Sequence, residues 1–212
     1  MLLRTISDLY NNNMISQQQA STFALLANIN NVYLGFHEIA QINLAHQLFE
    51  KKESPVLEYE IISKTQKNKW GWPKRYEADL VSRRRVWEVK PVGKSGRSDL
   101  NRYMSEGDLQ EGRNLYSMTD IPVFGNFKMK ISVVGGLANY SFYCYDFQGN
   151  AVPVLSKDVK AAYENNANNA AKAFASIAGL TILEDLITGG YGVVDDPPSL
   201  TLALGAAAAA LT

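Results

Sequence analysis

The sequence has a single cysteine, Cys144, among 212 residues. No internal disulfide can form, so the fold does not depend on an oxidising compartment. One cysteine also excludes the cysteine-rich clusters that hold structural zinc. Only two histidines occur, His37 and His46. Their spacing does not place them one turn apart on a helix, which argues against a helical two-histidine zinc site.

Long hydrophobic runs are also lacking. The N-terminus has no basic segment followed by an apolar core, so no signal peptide is visible. The alanine-rich tail from Ser199 to Thr212 is apolar but too short to cross a bilayer as a helix. No Walker loop, dinucleotide-binding glycine fingerprint or internal repeat is present. These absences predict a chain with no membrane span and no nucleotide cofactor.

Net charge is zero, yet the charges are unevenly distributed. Residues 64–102 hold 12 of the 21 lysines and arginines and only four acidic residues, so this segment carries +8 and the rest of the chain −8. A basic surface of this kind suits a polyanionic partner. The same charges also fit a solvated loop, and composition alone does not decide between the two interpretations.

Residues 76–91 predict a β-hairpin with a basic tip. In its second strand Val86, Glu88 and Lys90 alternate with apolar residues, and Pro91 should end the strand. If Arg83 and Arg84 form the turn, Asp79 lies opposite Glu88, and Glu77 lies opposite Lys90. A three-residue loop would separate the two carboxylates, and Arg-Arg is not a strong turn sequence.

Directly opposed side chains on one face of a sheet lie about 5 Å apart. Asp79 and Glu88 would therefore repel each other unless a cation lies between them. Hard divalent cations such as Mg²⁺ prefer oxygen ligands of this kind. The alternative interpretation is an exposed hairpin with ordinary surface charges.

The hairpin resembles a known family. Ala78-Asp79-Leu80-Val81 followed by Val86-Trp87-Glu88-Val89-Lys90-Pro91 is similar to the PD-(D/E)xK nuclease superfamily, and most of all to the restriction-endonuclease-like toxin domains of bacterial polymorphic toxins. The proline of the superfamily's name is absent, because Ala78 precedes Asp79. The resemblance covers residues 34 to about 147 and is specific only across the hairpin.

The resemblance implies roles for several residues. Asp79 and Glu88 would bind Mg²⁺ or Mn²⁺, and Lys90 would orient or deprotonate the attacking water. Superfamily members often complete the metal site with a carboxylate from the helix before the first strand, where Glu38 lies here; Glu58 or Glu60 is the alternative. Gln110 is the candidate from the helix after the Glu-x-Lys strand. His37 could position water or phosphate, or serve only a structural role.

The resemblance also implies an α/β (α+β) fold with an αβββαβ core. The pattern along the chain predicts helix over residues 1–33 with Ser16 or Ser21 as a cap, an interruption at Gly35, a second helix to about Lys52, a strand over 56–63, a loop over 64–75 and then the hairpin. After it the pattern predicts a helix over 104–118, a second hairpin over 127–147 with Gly135-Gly136 in its turn, helix from Asp158 to about Leu186, and a short alanine-rich helix at the end of the chain. The predicted division is an N-terminal helical segment (1–33), a nuclease-like core (34–155) and a C-terminal helical appendage (156–212).

Six basic residues are candidates for nucleic-acid contact. Lys69, Lys74 and Arg75 flank Trp70 and Trp72 in the predicted loop, and Arg83, Arg84 and Arg85 form the hairpin tip. Cations interleaved with aromatic rings suit phosphate contact together with base stacking. The other interpretation is a loop in which at least one tryptophan packs onto the core.

The sequence thus predicts a metal-dependent nuclease, with DNA favoured over RNA as substrate. By resemblance it would be an antibacterial toxin effector, made in the bacterial cytoplasm, delivered into target cells and neutralised by an immunity protein. That partner would be acidic where it meets the basic surface. The alternatives are a restriction or repair nuclease, and a catalytically inactive module that binds nucleic acid or protein on the same fold.

Overall fold

The computed structural model describes residues 2–177, which form five helices and eight strands. The helices are α1 (Leu2–Asn11), α2 (Gln17–Ala27), α3 (Val32–Glu50), α4 (Arg97–Gly107) and α5 (Ser156–Ile177). The strands are β1 (Val56–Lys67), β2 (Pro73–Ser82), β3 (Arg85–Pro91), β4 (Gln110–Glu111), β5 (Met118–Phe124), β6 (Phe127–Val134), β7 (Leu137–Tyr145) and β8 (Ala151–Val154).

The strands form one mixed sheet in the order β1-β2-β3-β7-β6-β5. Most neighbours are antiparallel, but β3 pairs in parallel with both β7 and the short β4, and β8 adds to β7. A parallel step needs a crossover, and α4 lies on the path from β3 to β7. The described chain is therefore a mixed α+β fold with a mostly antiparallel sheet.

Two apolar clusters cover the sheet. The larger joins α1, α2 and α3 to the sheet and includes Phe36, Leu44 and Trp87. The smaller lies against α4 and includes Val86 and Leu100. Val86 and Trp87 are neighbours in β3 yet belong to different clusters, as the two-residue period of a strand requires. Both faces of β3 are thus covered, and Glu88 in the middle of the strand is buried.

The N-terminal helices share the larger core with the sheet, since Ile6 and Leu25 belong to it. Residues 1–33 are not one helix: α1 and α2 are separate, and Ser16 begins α2 with a capping box completed by Gln19. No helix within residues 2–177 is long and apolar enough to cross a membrane. The domain boundaries at residues 33/34 and 155/156 stay predictions.

Three predicted elements differ from the structure. Gly35 does not interrupt a helix but lies inside α3, where an added Cβ would be only 3.0 Å from the Ala24 carbonyl oxygen, so helix packing requires a small residue. The predicted loop 64–75 is mostly strand, because β1 extends to Lys67 and β2 begins at Pro73. The predicted helix over 104–118 is wrong, since α4 ends at Gly107, where Asp108 adopts φ 55°.

The second hairpin and the last described helix agree with the sequence. β6 and β7 pair around Gly135-Gly136 as predicted. Helix α5 begins at Ser156 and is described to Ile177. The predicted continuation to Leu186 and the alanine-rich terminal helix lie outside the described residues.

Replacing Gly112 with alanine should destabilise the fold. A Cβ at residue 112 would lie 2.4 Å from Cε2 and Nε1 of Trp87, whose ring is fully buried and donates a hydrogen bond from Nε1 to the Arg113 carbonyl at 3.1 Å. Overpacking of this kind costs about 1–3 kcal/mol, and each kcal/mol lowers the thermal midpoint by about 2–4 °C in a chain of this size. Thermal denaturation measures the loss.

A double variant tests the cause of that destabilisation. If the clash with the indole is responsible, Gly112→Ala should cost less in a Trp87→Phe background than in the wild type, because the smaller ring leaves room for the added methyl group. An equal cost in both backgrounds would assign the effect to the backbone of residue 112.

Candidate active site

The tip of the first hairpin sets its register. Arg83 and Arg84 have φ angles of 47° and 63°, the left-handed pair that a type I′ turn requires. Ser82 pairs with Arg85 and Leu80 with Trp87, which is the predicted register. The two-residue turn forms although Arg-Arg is not a favoured sequence for it.

Beyond Leu80 and Trp87 the strand β3 changes partner. From Glu88 onward β3 pairs in parallel with β7, and the Glu88 amide donates to the Gly136 carbonyl at 2.8 Å. The predicted pairing of Glu77 with Lys90 is wrong, because Glu77 pairs with Glu60 of β1 and Lys90 with Asn139 of β7. Because β2 does not pair with β3 beyond Leu80, backbone amides on that side of β3 are available to hydrogen-bond with side chains.

The side chain of Asp79 hydrogen-bonds to one of these free amides and to helix α3. Its Oδ2 accepts a 2.6 Å hydrogen bond from the Val89 amide. Its Oδ1 lies 3.0 Å from His37 Nε2 and 3.3 Å from Gln41 Nε2. His37 and Gln41 are one turn apart on α3, so one helix face orients the carboxylate. The sequence left the role of His37 open and missed Gln41, although its i,i+4 spacing from His37 was a usable signal.

Glu88 is buried in the same place, with only 1% of its surface exposed. The Lys90 ammonium forms an ion pair with its Oε1. Apart from that ion pair, no described residue donates a hydrogen bond to either carboxylate oxygen. Gly96, at the start of α4, covers the side chain so closely that a Cβ there would lie 2.7 Å from Glu88 Cγ. A carboxylate with these surroundings lacks most of the partners that a buried negative charge needs.

The pKa values of the two carboxyl groups are shifted in opposite directions. Burial raises the pKa of Glu88 to about 8, and the nearby negative charge of Asp79 adds to the rise, while Lys90 opposes both. Burial also raises the pKa of Asp79, but His37, the Val89 amide and Lys90 outweigh it and hold that pKa below its ordinary value. Without a metal ion the site therefore favours the protonated form of Glu88 more than an exposed glutamate would, and a bound metal ion would favour the carboxylate.

Lys90 is the accessible member of the cluster, with 28% of its side chain exposed. Its ammonium also lies 3.6 Å from Asp99, which is held by Arg102 at 2.6 Å. Burial lowers the pKa of Lys90, but the carboxylates of Glu88, Asp79 and Asp99 outweigh it and raise the pKa. Lys90 is thus a positively charged hydrogen-bond donor at neutral pH.

Two tyrosines lie near the carboxylates and had no role in the sequence-based prediction. Burial raises the pKa of Tyr103 on α4, and the charge of Glu88 adds to the rise. Burial raises the pKa of Tyr140 on β7 to about 12, with the charge of Asp79 adding to it. Both hydroxyls stay protonated at neutral pH.

Glu38 lies on α3 next to His37, as predicted, but it interacts with a different group of residues. Its Oε2 accepts a 2.7 Å hydrogen bond from Asn28, and burial together with the charge of Glu58 raises its pKa to about 7. Within residues 2–177, no three His, Cys, Asp or Glu side chains converge in a way that could hold a metal ion. The alternative candidate Glu60 is exposed and pairs with Arg75 at 2.9 Å.

Gln110 does not lie at the site. It belongs to β4, where it pairs with Arg85 near the hairpin tip, and its amide donates to the Arg84 carbonyl at 2.8 Å. Gln110 is exposed, and its pairing partner Arg85 lies three positions before Glu88 in β3. The prediction failed because it assumed that α4 continued past Gly107.

The six basic candidates form two groups at opposite ends of β2. At the hairpin tip, Arg84 pairs with Asp108 at 2.6 Å, and Arg83 and Arg85 donate to the carbonyls of Lys52 and Glu111. At the other end, Lys69, Lys74 and Arg75 surround the turn between β1 and β2. Trp70 and Trp72 in that turn are 72% and 70% exposed, so the expectation that one packs onto the core is wrong.

Comparison with known proteins gave no match: no family model, curated protein or solved structure is similar to this chain. What the chain does is therefore inferred from the geometry of one cluster, formed by Asp79, Glu88, Lys90, His37 and Gln41.

The raised pKa of Glu88 predicts a pH-dependent stability in metal-free buffer. The folded protein keeps the Glu88 proton up to about pH 8, whereas an unfolded chain loses it near 4.5. The contribution of the protonated Glu88 carboxyl to the free energy of unfolding is therefore fully present below pH 4.5 and is lost as the pH rises from 4.5 to about 8. Glu88→Gln should match the wild-type thermal midpoint near pH 4.5 and exceed it near pH 8.

Thermal melts across this pH range with a chelator present make the measurement. A Glu88→Gln protein whose midpoint is below that of the wild type at pH 8 would contradict the prediction, because it would show that the Glu88 charge stabilises the fold.

Proposed function

We propose that this protein is a metal-dependent nuclease that hydrolyses phosphodiester bonds, with DNA as the favoured substrate. The observation that carries the proposal is the buried carboxylate of Glu88, held beside Asp79 and the partly exposed ammonium of Lys90. A structural carboxylate buried this deeply would be expected to accept several hydrogen bonds, whereas the Lys90 ammonium is the one group among the described residues that pairs with Glu88.

The residues present fit a divalent cation. Asp79 and Glu88 supply the hard oxygen atoms that Mg²⁺ and Mn²⁺ prefer, and among the described residues Glu88 has no partner for its oxygens besides the Lys90 ammonium. Asp79 and Glu88 are the residues that would hold the ion. Glu38, which accepts a hydrogen bond from Asn28, stays a prediction as a further ligand. When bound, such an ion polarises a phosphate and lowers the pKa of a coordinated water.

The chain's own residues would perform the remaining tasks. Lys90 would stabilise the negative charge that develops on the phosphate, since its raised pKa keeps it protonated. For the same reason orienting the attacking water suits Lys90 better than deprotonating it. His37, Gln41 and the Val89 amide would hold the Asp79 carboxylate in a single orientation.

The order of elements supports the same proposal. Helix α3, strands β1, β2 and β3, and helix α4 follow one another, and β7 lies parallel beside β3. This order is compatible with the αβββαβ core that the resemblance implies, with β4, β5 and β6 inserted before the last strand.

The biological role is also a proposal and depends on the resemblance. It is that of a toxin effector bound by an immunity protein, whose acidic surface would cover Lys90 and the basic turn between β1 and β2. A restriction or repair nuclease would share the chemistry, and an inactive binding module would lack it.

Purified protein incubated with plasmid, single-stranded DNA and RNA tests the proposal. Cleavage is expected with Mg²⁺ or Mn²⁺, none is expected with EDTA, and Glu88→Gln is the matched inactive protein. Cleavage that persists in EDTA would refute the metal-dependent mechanism. Binding of nucleic acid with no cleavage under any metal condition would favour the inactive binding module instead.

A further inference from the structure

The turn between β1 and β2 displays two tryptophans to solvent. Trp70 and Trp72 are 72% and 70% exposed, although tryptophan is usually buried for most of its surface. The indole is the largest apolar side chain, so an exposed pair on one turn is a feature that the fold itself does not explain.

The turn is well ordered by its own hydrogen bonds. Asn68 Oδ1 accepts from the amides of Trp70 at 2.9 Å and Trp72 at 3.1 Å. The Asn68 amide donates to the Trp72 carbonyl at 2.8 Å, and Gly71 has a φ of 83°, which favours glycine. The backbone therefore holds both indoles outward instead of leaving them to collapse onto the sheet.

The surroundings of the two rings are basic. Between Ile61 and Tyr76 the chain has five lysines and arginines and no acidic residue. The Lys69 ammonium lies 4.4 Å from the centroid of the Trp70 ring. An open groove of about 720 Å³ borders Trp72, and Lys74 and Arg75 line it. Arg75 is partly neutralised by Glu60, whereas Lys74 contacts only the neutral Gln66 through its ammonium among the described residues.

We propose that this turn binds single-stranded nucleic acid, with unpaired bases stacked on Trp70 and Trp72 and phosphates held by Lys69 and Lys74. Every base has a π face, so stacking on an indole needs no particular sequence, and each stacked base contributes a sizeable share of the affinity. The bases of an intact duplex are stacked on each other and cannot offer their faces. The turn would thus select single strands or locally opened duplexes.

The inference deepens the proposed nuclease, because it names the substrate class that the same chain would hold. Strand β2 leads directly from Pro73 at the turn to Asp79 at the site, a path of about 20 Å at the usual rise per residue. A single strand of a few nucleotides could reach from the turn to the carboxylates.

Binding without cleavage is the direct test. The full-length Glu88→Gln protein in EDTA is mixed with labelled oligothymidylate of about 16 nucleotides, near the upper end of known single-strand site sizes. Anisotropy of the label is compared with that for a duplex of equal length. Single-strand binding should be tighter, and in Trp70→Ala or Trp72→Ala it should weaken by roughly 5- to 150-fold for each lost stacking partner.

Controls separate stacking from folding and general charge. Phe147→Ala removes another exposed aromatic ring and should leave binding unchanged. Trp72→Phe should restore part of the affinity, since it keeps a π face. Intrinsic fluorescence adds a second readout: the only other tryptophan, Trp87, is fully buried, so quenching on binding reports the two exposed rings.

Several results would overturn the inference. One is equal affinity for the duplex and the single strand, and another is unchanged affinity in both tryptophan variants. A third is binding to vesicles containing phosphatidylserine without binding to the oligonucleotide, because this result would assign the turn to a lipid surface. Tryptophan-dependent binding in EDTA together with no cleavage in Mg²⁺ would support this inference and refute the nuclease. If a protein with both tryptophans replaced cleaves single strands at the wild-type rate, the nuclease is supported and this inference is refuted.

Discussion

Asp79→Asn and Glu88→Gln are each expected to abolish nuclease activity without unfolding the protein. Each replacement keeps the size of the side chain but removes a negative charge from the cation site. Loss of several kcal/mol of transition-state stabilisation corresponds to a rate decrease of about a thousandfold or more. Initial rates of plasmid cleavage in Mg²⁺ measure the effect, and growth of cells expressing each variant shows whether toxicity disappears with it.

Stability separates this outcome from misfolding. In metal-free buffer the thermal midpoint of Glu88→Gln should equal or exceed that of the wild type, because burial and the charge of Asp79 disfavour a charged Glu88. Asp79→Asn should lower the midpoint modestly, because His37, the Val89 amide and Lys90 stabilise the charged Asp79 carboxylate. Glu60→Gln is the matched control, since it removes an exposed glutamate from the neighbouring strand β1 and should retain activity. Variants that melt at lower temperature yet remain fully toxic would show that Asp79 and Glu88 are structural residues.

Lys90→Ala is expected to reduce cleavage by about a hundred- to a thousandfold while leaving metal binding largely intact. The reason is that Lys90 supplies charge to the transition state and is not itself an oxygen ligand, and removal of one such preorganised group has an effect of this size. Calorimetric titration with Mn²⁺ compares the affinities, and cleavage rates at saturating metal compare the chemistry.

The matched control for Lys90→Ala is Lys94→Ala, which removes an exposed lysine just after β3. It should cleave at nearly the wild-type rate, because Lys94 lies outside the carboxylate cluster. If Lys90→Ala loses Mn²⁺ affinity in proportion to activity, the role of Lys90 is to support the geometry of Glu88. If instead both variants cleave normally, Lys90 has no part in the chemistry.

The first hairpin shows how far local sequence determines structure. Alternation along β3 and the position of Pro91 predicted the strand, and the two-residue turn at Arg83-Arg84 fixed which residues face each other. These are interactions between residues close in the chain, where pleat and turn geometry leave few alternatives. Ser16 as the cap of α2 and the Gly135-Gly136 turn were predictable for the same reason.

Long-range packing decided the rest. The sequence alone determined that Asp79, Glu88 and Lys90 lie near one another on a hairpin. Only the tertiary structure showed that β3 leaves β2 to pair with β7, that His37 and Gln41 of α3 reach Asp79, and that Gln110 lies near the hairpin tip. The physical reason is that these contacts join segments tens of residues apart. Their geometry depends on where α4 ends and on how β7 pairs with β3 at Glu88, and no local periodicity encodes either feature.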